Sequence, residues 1–146
     1  MIIMSMTMIK DFQIIYTDNF KTNDKKQFIK ALYLAFATQN VNYIIDLVED
    51  DIEWNIIDTC SIKGKAMYAT SLQQMIQIKI KKLHIKNIII NGQICAINGI
   101  AHSYGNKNYS FCDIIQFSST EDNAKIKKIT SYSNSLFNEV CNSYYH

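Results

Sequence analysis

The chain has no arginine and no proline, four glycines and a single tryptophan in 146 residues. Without arginine there is no guanidinium to clamp a phosphate or carboxylate through two parallel hydrogen bonds. Neither sign of charge dominates, because fifteen lysines face thirteen acidic residues and the net charge is +2. So weak a field argues against nucleic acid as a partner. No run of about 18 apolar residues is present, which excludes a membrane-spanning helix. The four cysteines, at 60, 95, 112 and 141, form no CxxC pair, so neither a zinc ribbon nor a thioredoxin-like site fits. The three histidines, His84, His102 and His146, show no HxH or HExxH spacing, and no metal site is expected. The start, MIIMSMTMI, is apolar but short, with no basic stretch before it and no cleavage site after it. These features read as a cytoplasmic protein with free thiols.

What the chain does have is core material. Hydrophobic residues make up 48% and aromatics 12%, enough for one globular domain and too much for a disordered chain. Ile, Lys, Asn, Tyr and Phe together supply about half of the residues. All five use A/T-rich codons, so their abundance is set aside as a functional signal.

Periodicity orders the elements. Residues 12–16 fit a short strand or a helical turn. Asn23 or Asp24 is an N-cap for a helix whose stripe is Phe28, Ile29, Leu32, Ala35 and Phe36. A second short helix is predicted over 41–48. Alternation over 51–56 then gives a strand with Ile52, Trp54 and Ile56 on one face. After a loop at 63–65, a third helix is predicted over 66–81, with Met67, Leu72, Met75, Ile76 and Ile80 as its apolar face and lysines 79, 81, 82 and 86 around its end. Four strands follow, over 83–90, 93–104, 109–117 and 125–132, the first two joined by an Asn91-Gly92 turn. Ile126 and Ile129 are three apart, which predicts a bulge in the last strand. The fold class is α+β, with helices on one face of an antiparallel sheet. Residues 1–22 read as an N-terminal extension, 23–135 as the domain and 136–146 as a C-terminal tail.

This order, with DDIEW at 50–54, IKGK at 62–65, FCDIIQF at 111–117 and KIKKITSY at 125–132, resembles the nuclear-transport-factor-two-like superfamily, in particular its SnoaL-like polyketide cyclase and ketosteroid isomerase branches. The resemblance spans about residues 24–133. It implies a cone in which a curved sheet wraps a long N-terminal helix, an apolar pocket open at one end, and a homodimer. Members include isomerases, cyclases, dehydratases, epoxide hydrolases and non-catalytic binding proteins, so the site residues must decide function.

Asp113 is the leading candidate. Alternation puts it on one face with Tyr109, Phe111, Ile115 and Phe117, and burial there would raise its pKa and keep it protonated as a hydrogen-bond donor. A protonated ketosteroid isomerase aspartate is the standard example of that effect, and Asp113 matches its position. The isomerase tyrosine falls at Leu32, with Tyr33 adjacent but turned about 100° around the helix. The isomerase base falls at Ile56, which moves no proton; Asp58, two residues on, is either a displaced base or a solvated turn residue. His102 depends on hairpin register. An even loop pairs Tyr104 with Tyr109 and makes His102 a diagonal neighbour of Asp113, whereas an odd loop separates the two. Trp54 is either a core anchor or a pocket wall for a planar ligand. Tyr33, Tyr104 and Tyr109 are candidate pocket hydroxyls, and Leu32, Ile56, Asp58 and Phe111 complete the candidate lining. Two functions stay open. One is a small apolar or cyclic ligand processed by proton transfer without a cofactor, with Asp113 as acid and His102 as its partner. The other is a non-catalytic ligand-binding or dimerising module.

Overall fold

The computed structural model describes residues 4–9, 12–17, 24–75, 79–134 and 136. The elements run β1 (Met4–Ile9), β2 (Phe12–Thr17), α1 (Asp24–Ala37), α2 (Val41–Ile45), β3 (Val48–Ile56), β4 (Cys60–Lys63), α3 (Lys65–Met75), β5 (Ile80–Asn91), β6 (Ile94–Ser103), β7 (Asn108–Phe117) and β8 (Ile126–Ser133). All strands join one curved, unclosed sheet in the order β1-β2-β5-β6-β7-β8-β3-β4. Pairing is antiparallel except at β2–β5 and β3–β8, which are parallel.

The inner face of the sheet is written in alternation. Ile52, Trp54 and Ile56 on β3, Cys95, Ile97 and Ala101 on β6, and Phe111, Asp113, Ile115 and Phe117 on β7 are all buried. Against this face lies α1, which buries Ile29, Leu32, Tyr33 and Ala35; Phe28 and Phe36 pack on the same core. The expected stripe is therefore present but wider, and it includes Tyr33. The bulge in the last strand is also present: Gln116 opposes Lys128 while Phe117 opposes Ile126, so both Ile126 and Ile129 turn inward.

Four local expectations are corrected. The helix expected to reach 81 ends at Met75, and Ile80 already opens β5, so Lys81, Lys82 and Lys86 decorate a strand rather than a helix end. Its buried face is Tyr68, Ser71 and Leu72, and Met67 is exposed; Ile76 lies outside the described residues. The second helix stops at Ile45, because Val48 begins β3. The first hairpin turn sits one residue later than expected, on Gly92 and Gln93 between the paired Asn91 and Ile94. Gly92 alone there has a positive φ, of 60°, which suits a II′ turn.

Two strands were not foreseen beyond the 12–16 segment. β4 pairs with β3 at one edge of the sheet. At the other edge β1 pairs with β2, and β2 lies parallel to β5, burying Phe12, Ile14 and Tyr16 in the shared core. The Thr17 hydroxyl and the His84 ring are hydrogen-bonded across that junction. Cys95 and Cys112 carry free thiols, as expected, but Cys60 is disulfide-bonded, a cross-link that a reducing cytosol opposes. No helix among the described residues is long and apolar enough to cross a membrane.

Candidate functional site

The concave face of the sheet, α1, α2 and α3 enclose a cavity of about 90 Å³. Its walls are Tyr33, Phe36 and Ala37 from α1, Tyr68 and Leu72 from α3, Trp54 from β3, Phe111, Asp113 and Ile115 from β7, and Ile129 and Ser131 from β8. Gln39, Val41 and Leu136 stand among the residues that complete it. Most of this lining is carbon, and one carboxyl group interrupts it.

That carboxyl is Asp113, buried at 6% exposure in the middle of β7. Inward alternation places it, with Phe111 and Ile115 as neighbours on the same face. Tyr33 Oη donates a hydrogen bond to Asp113 Oδ2. Oδ1 is buried and has no hydrogen-bond partner among the described residues. Directly across the β7–β8 pairing stands Ser131, whose hydroxyl accepts a hydrogen bond from Trp54 Nε1 at 2.9 Å. Burial pushes the Asp113 pKa up to about 6, while the Tyr33 and Ser131 hydroxyls pull the other way by stabilising the charged form. Tyr33 and Tyr68 are held well above the usual phenol range by burial first and by the Asp113 charge second, so both stay protonated donors. Among the described lining residues, Asp113 is then the one group poised to gain or lose a proton near neutral pH.

The other expected site residues divide. Trp54 and Phe111 line the cavity, and Trp54 is at once core anchor and pocket wall, its ring meeting Tyr68 edge-on at 5.6 Å. Leu32 and Ile56 are buried in the core but are not among the described residues that line the cavity. Tyr33, beside the position that the resemblance assigns to the isomerase tyrosine, is the residue that reaches the acid, its ring stacked on Phe111 at 5.9 Å. Asp58 does not belong to the site: it sits exposed in the β3–β4 turn with φ 60°. Nor does Tyr104, which is 52% exposed in the β6–β7 turn.

His102 is the largest correction. It pairs with Asn108, while Asp113 pairs with Ile97, so histidine and aspartate lie on opposite faces of the sheet. The hairpin has taken the odd register. Five residues separate His102 from Asn108, with Ser103 tied to Lys107 through backbone and hydroxyl bonds and Asn106 left-handed at φ 63°. His102 Nδ1 instead meets Asn108 Oδ1 at 2.7 Å on the outer face. His102 and Asp113 form no couple. Sequence reasoning passed over Ser131 and Tyr68. Pairing the last two strands through the 126–129 bulge places Ser131 opposite Asp113, so that signal was present.

No family model matches the sequence, and no curated protein is similar to it. Solved structures do share its fold. An NTF2-like protein of unknown function from Cytophaga hutchinsonii is 28% identical over 72% of this chain and 95% of its own, with a TM-score of 0.57. A second NTF2-like protein of unknown function, from Burkholderia xenovorans, is 18% identical over 76% of this chain and 83% of its own, with a TM-score of 0.64. The epoxide hydrolase/cyclase-like enzyme SalBIII, described with a role in pyran ring formation in the polyether salinomycin, is 10% identical over 77% of this chain and 92% of its own, also at 0.64.

Proposed function

With an NTF2-like fold as premise, we propose that the protein binds a small apolar or cyclic molecule in the cavity and exchanges a proton with it through Asp113. The observation that carries this reading is the buried carboxyl whose Oδ1 has no partner inside an otherwise apolar lining. Protonated, Asp113 gives its proton to an oxygen of the ligand; ionised, it takes one from an acidified C–H or O–H. A pKa of about 6 leaves both forms populated near neutrality. Tyr33 holds Oδ2 and thereby fixes the direction in which Oδ1 works. Isomerisation, cyclisation and dehydration all reduce to such transfers. Ring formation is included because SalBIII carries it on the same fold.

The test is hydrogen–deuterium exchange by NMR in a panel of small cyclic ketones such as 2-tetralone. The parent protein is expected to accelerate exchange, and Asp113→Asn to lower the acceleration by at least about 100-fold, the usual worth of a positioned acid–base group. Full activity in a folded Asp113→Asn variant would refute the role of the carboxyl. Absence of exchange across the panel would refute proton transfer and leave ligand binding alone.

A homodimer belongs to the same reading, supported by the outer face of the sheet. Ile89, Ile94 and Tyr132 are exposed there at 63%, 41% and 48%, and the outward residues of β6 and β7 include no lysine, aspartate or glutamate. Two copies can therefore meet without like-charge repulsion. Light scattering at micromolar concentration is expected to report twice the chain mass of 16.9 kDa. A monomer mass at those concentrations would sink the idea.

A further inference from the structure

The charges around the cavity are one-sided. Fifteen lysines are distributed over the chain, yet among the described residues no lysine and no histidine lines the cavity. Lys25 and Lys26, whose charge is felt at Cys95, stay outside it, and Lys25 is engaged by the Glu121 carbonyl at 3.0 Å and by the Phe117 ring at 4.1 Å. The groups that face or adjoin Asp113 from the packed elements are the Tyr33 hydroxyl of α1, the Tyr68 hydroxyl of α3, the Cys95 thiol of β6 and the Ser131 hydroxyl of β8. None is positive, and all stay neutral from about pH 5 to about pH 8. Tyr33 supplies a hydrogen bond to one carboxylate oxygen, and the described lining residues supply no countercharge. A buried, unpaired carboxylate is costly. The cost falls if the missing cation arrives with the occupant.

The walls suit that occupant. The rings of Tyr33, Phe36, Trp54, Tyr68 and Phe111 all line the cavity. Aromatic faces attract a positive charge, and the attraction grows where water is excluded. A carboxylate or phosphate ligand meets the Asp113 charge and the negative faces of the rings, with no cation among the described lining residues to offset them. An alcohol satisfies the hydrogen bond at Oδ1 but leaves the charge unbalanced. A quaternary ammonium balances the charge but has no N–H for Oδ1.

We propose that the cavity takes a protonated amine on a small apolar body, its N–H bonded to Asp113 Oδ1 and its charge held among the surrounding aromatic rings. This rests on the reading of the cavity as a ligand site and is independent of whether a proton is then transferred.

The experiment compares three probes that share a phenyl group on a two-carbon arm, 2-phenylethylamine, 2-phenylethanol and 3-phenylpropanoate, by titration calorimetry and by the emission of Trp54, the sole tryptophan. At about pH 7.5 the amine is expected to bind at least about tenfold more tightly than the alcohol, and the carboxylate more weakly than either. Lowering the pH to about 5 neutralises Asp113 while the amine keeps its charge, and the preference for the amine is expected to shrink in the unmodified protein. Asp113→Asn is expected to abolish it. Equal affinity for amine and alcohol at about pH 7.5, or a preference that survives both low pH and Asp113→Asn, overturns the amine assignment while leaving a ligand cavity. Failure of all three probes to bind overturns the assignment together with the cavity reading.

Discussion

Between about pH 3 and about pH 8, Asp113→Asn is expected to gain about 3 kcal/mol of stability relative to the parent protein. The folded state holds the Asp113 proton with a pKa of about 6, against an ordinary value of 3.8. Below both values the carboxyl is protonated in the folded and the unfolded chain, and it adds no pH dependence. As the pH rises through the interval between them, the unfolded chain releases the proton while the folded chain retains it. Stability therefore falls with rising pH across that window and levels off above it, the reverse of a salt-bridged aspartate. A gap of about two pH units converts to about 3 kcal/mol. Asparagine keeps an acceptor for Tyr33 and carries no charge, so its stability lacks this slope. Other carboxylates titrate alike in both proteins and cancel in the difference. Urea unfolding at several pH values measures it, and parallel curves for the two proteins would refute a buried ionisable carboxyl. Tyr33→Phe moves the other way. It removes a hydrogen bond that favours the ionised form, so the Asp113 pKa rises further and the sloping window widens.

Gly99→Ala is expected to cost about 3 kcal/mol or more and to lower the melting temperature by about 10 °C. Gly99 sits on β6, paired with Ile85 on one side and Phe111 on the other. A Cβ added there would collide with the His84 carbonyl oxygen and lie 3.1 Å from the His84 carbonyl carbon and from the tip of the Phe111 ring. The first obstacle is backbone and does not rotate away. Relief requires β5 to retreat, next to the irregularity between Ile85 and Asn87 where the sheet already bends. Because Phe111 stacks on Tyr33, the damage reaches the site as well as the fold. Thermal unfolding decides it, and a change within about 0.5 kcal/mol would show that β5 is free to shift.

The alternation of Ile52, Trp54 and Ile56, and the inward place of Asp113 among Phe111, Ile115 and Phe117, were legible because a half-buried strand writes its period of two directly in the residues. The bulge was legible for the same reason, as a break in that period. Tyr33 was harder. The stripe read from the sequence skipped it, although 29, 33 and 36 also share one helical face, and a tyrosine is equally at home on a wet surface. His102 was decided by one residue of loop length between two polar strand ends, where no apolar pattern fixes the register. Lysines at 79, 81 and 82 looked like a helix terminus because Ile76 and Ile80 fall at helical spacing. Sheet pairing with Ser103 claims Ile80 instead.

The two parallel junctions of the sheet carry a consequence for how the chain acquires it. β5 through β8 are antiparallel neighbours in sequence and form by successive hairpins, over short loops. Closing β2 onto β5 joins Gln13 to Lys82, and closing β3 onto β8 joins Trp54 to Ile129. Each must bring together segments separated by dozens of residues before any contact compensates the lost chain entropy. The meander is therefore expected to assemble early, with both flanks added late. Until they arrive, its outer strands expose unpaired backbone along Ile-rich edges, so dilute refolding should outperform concentrated refolding for this protein.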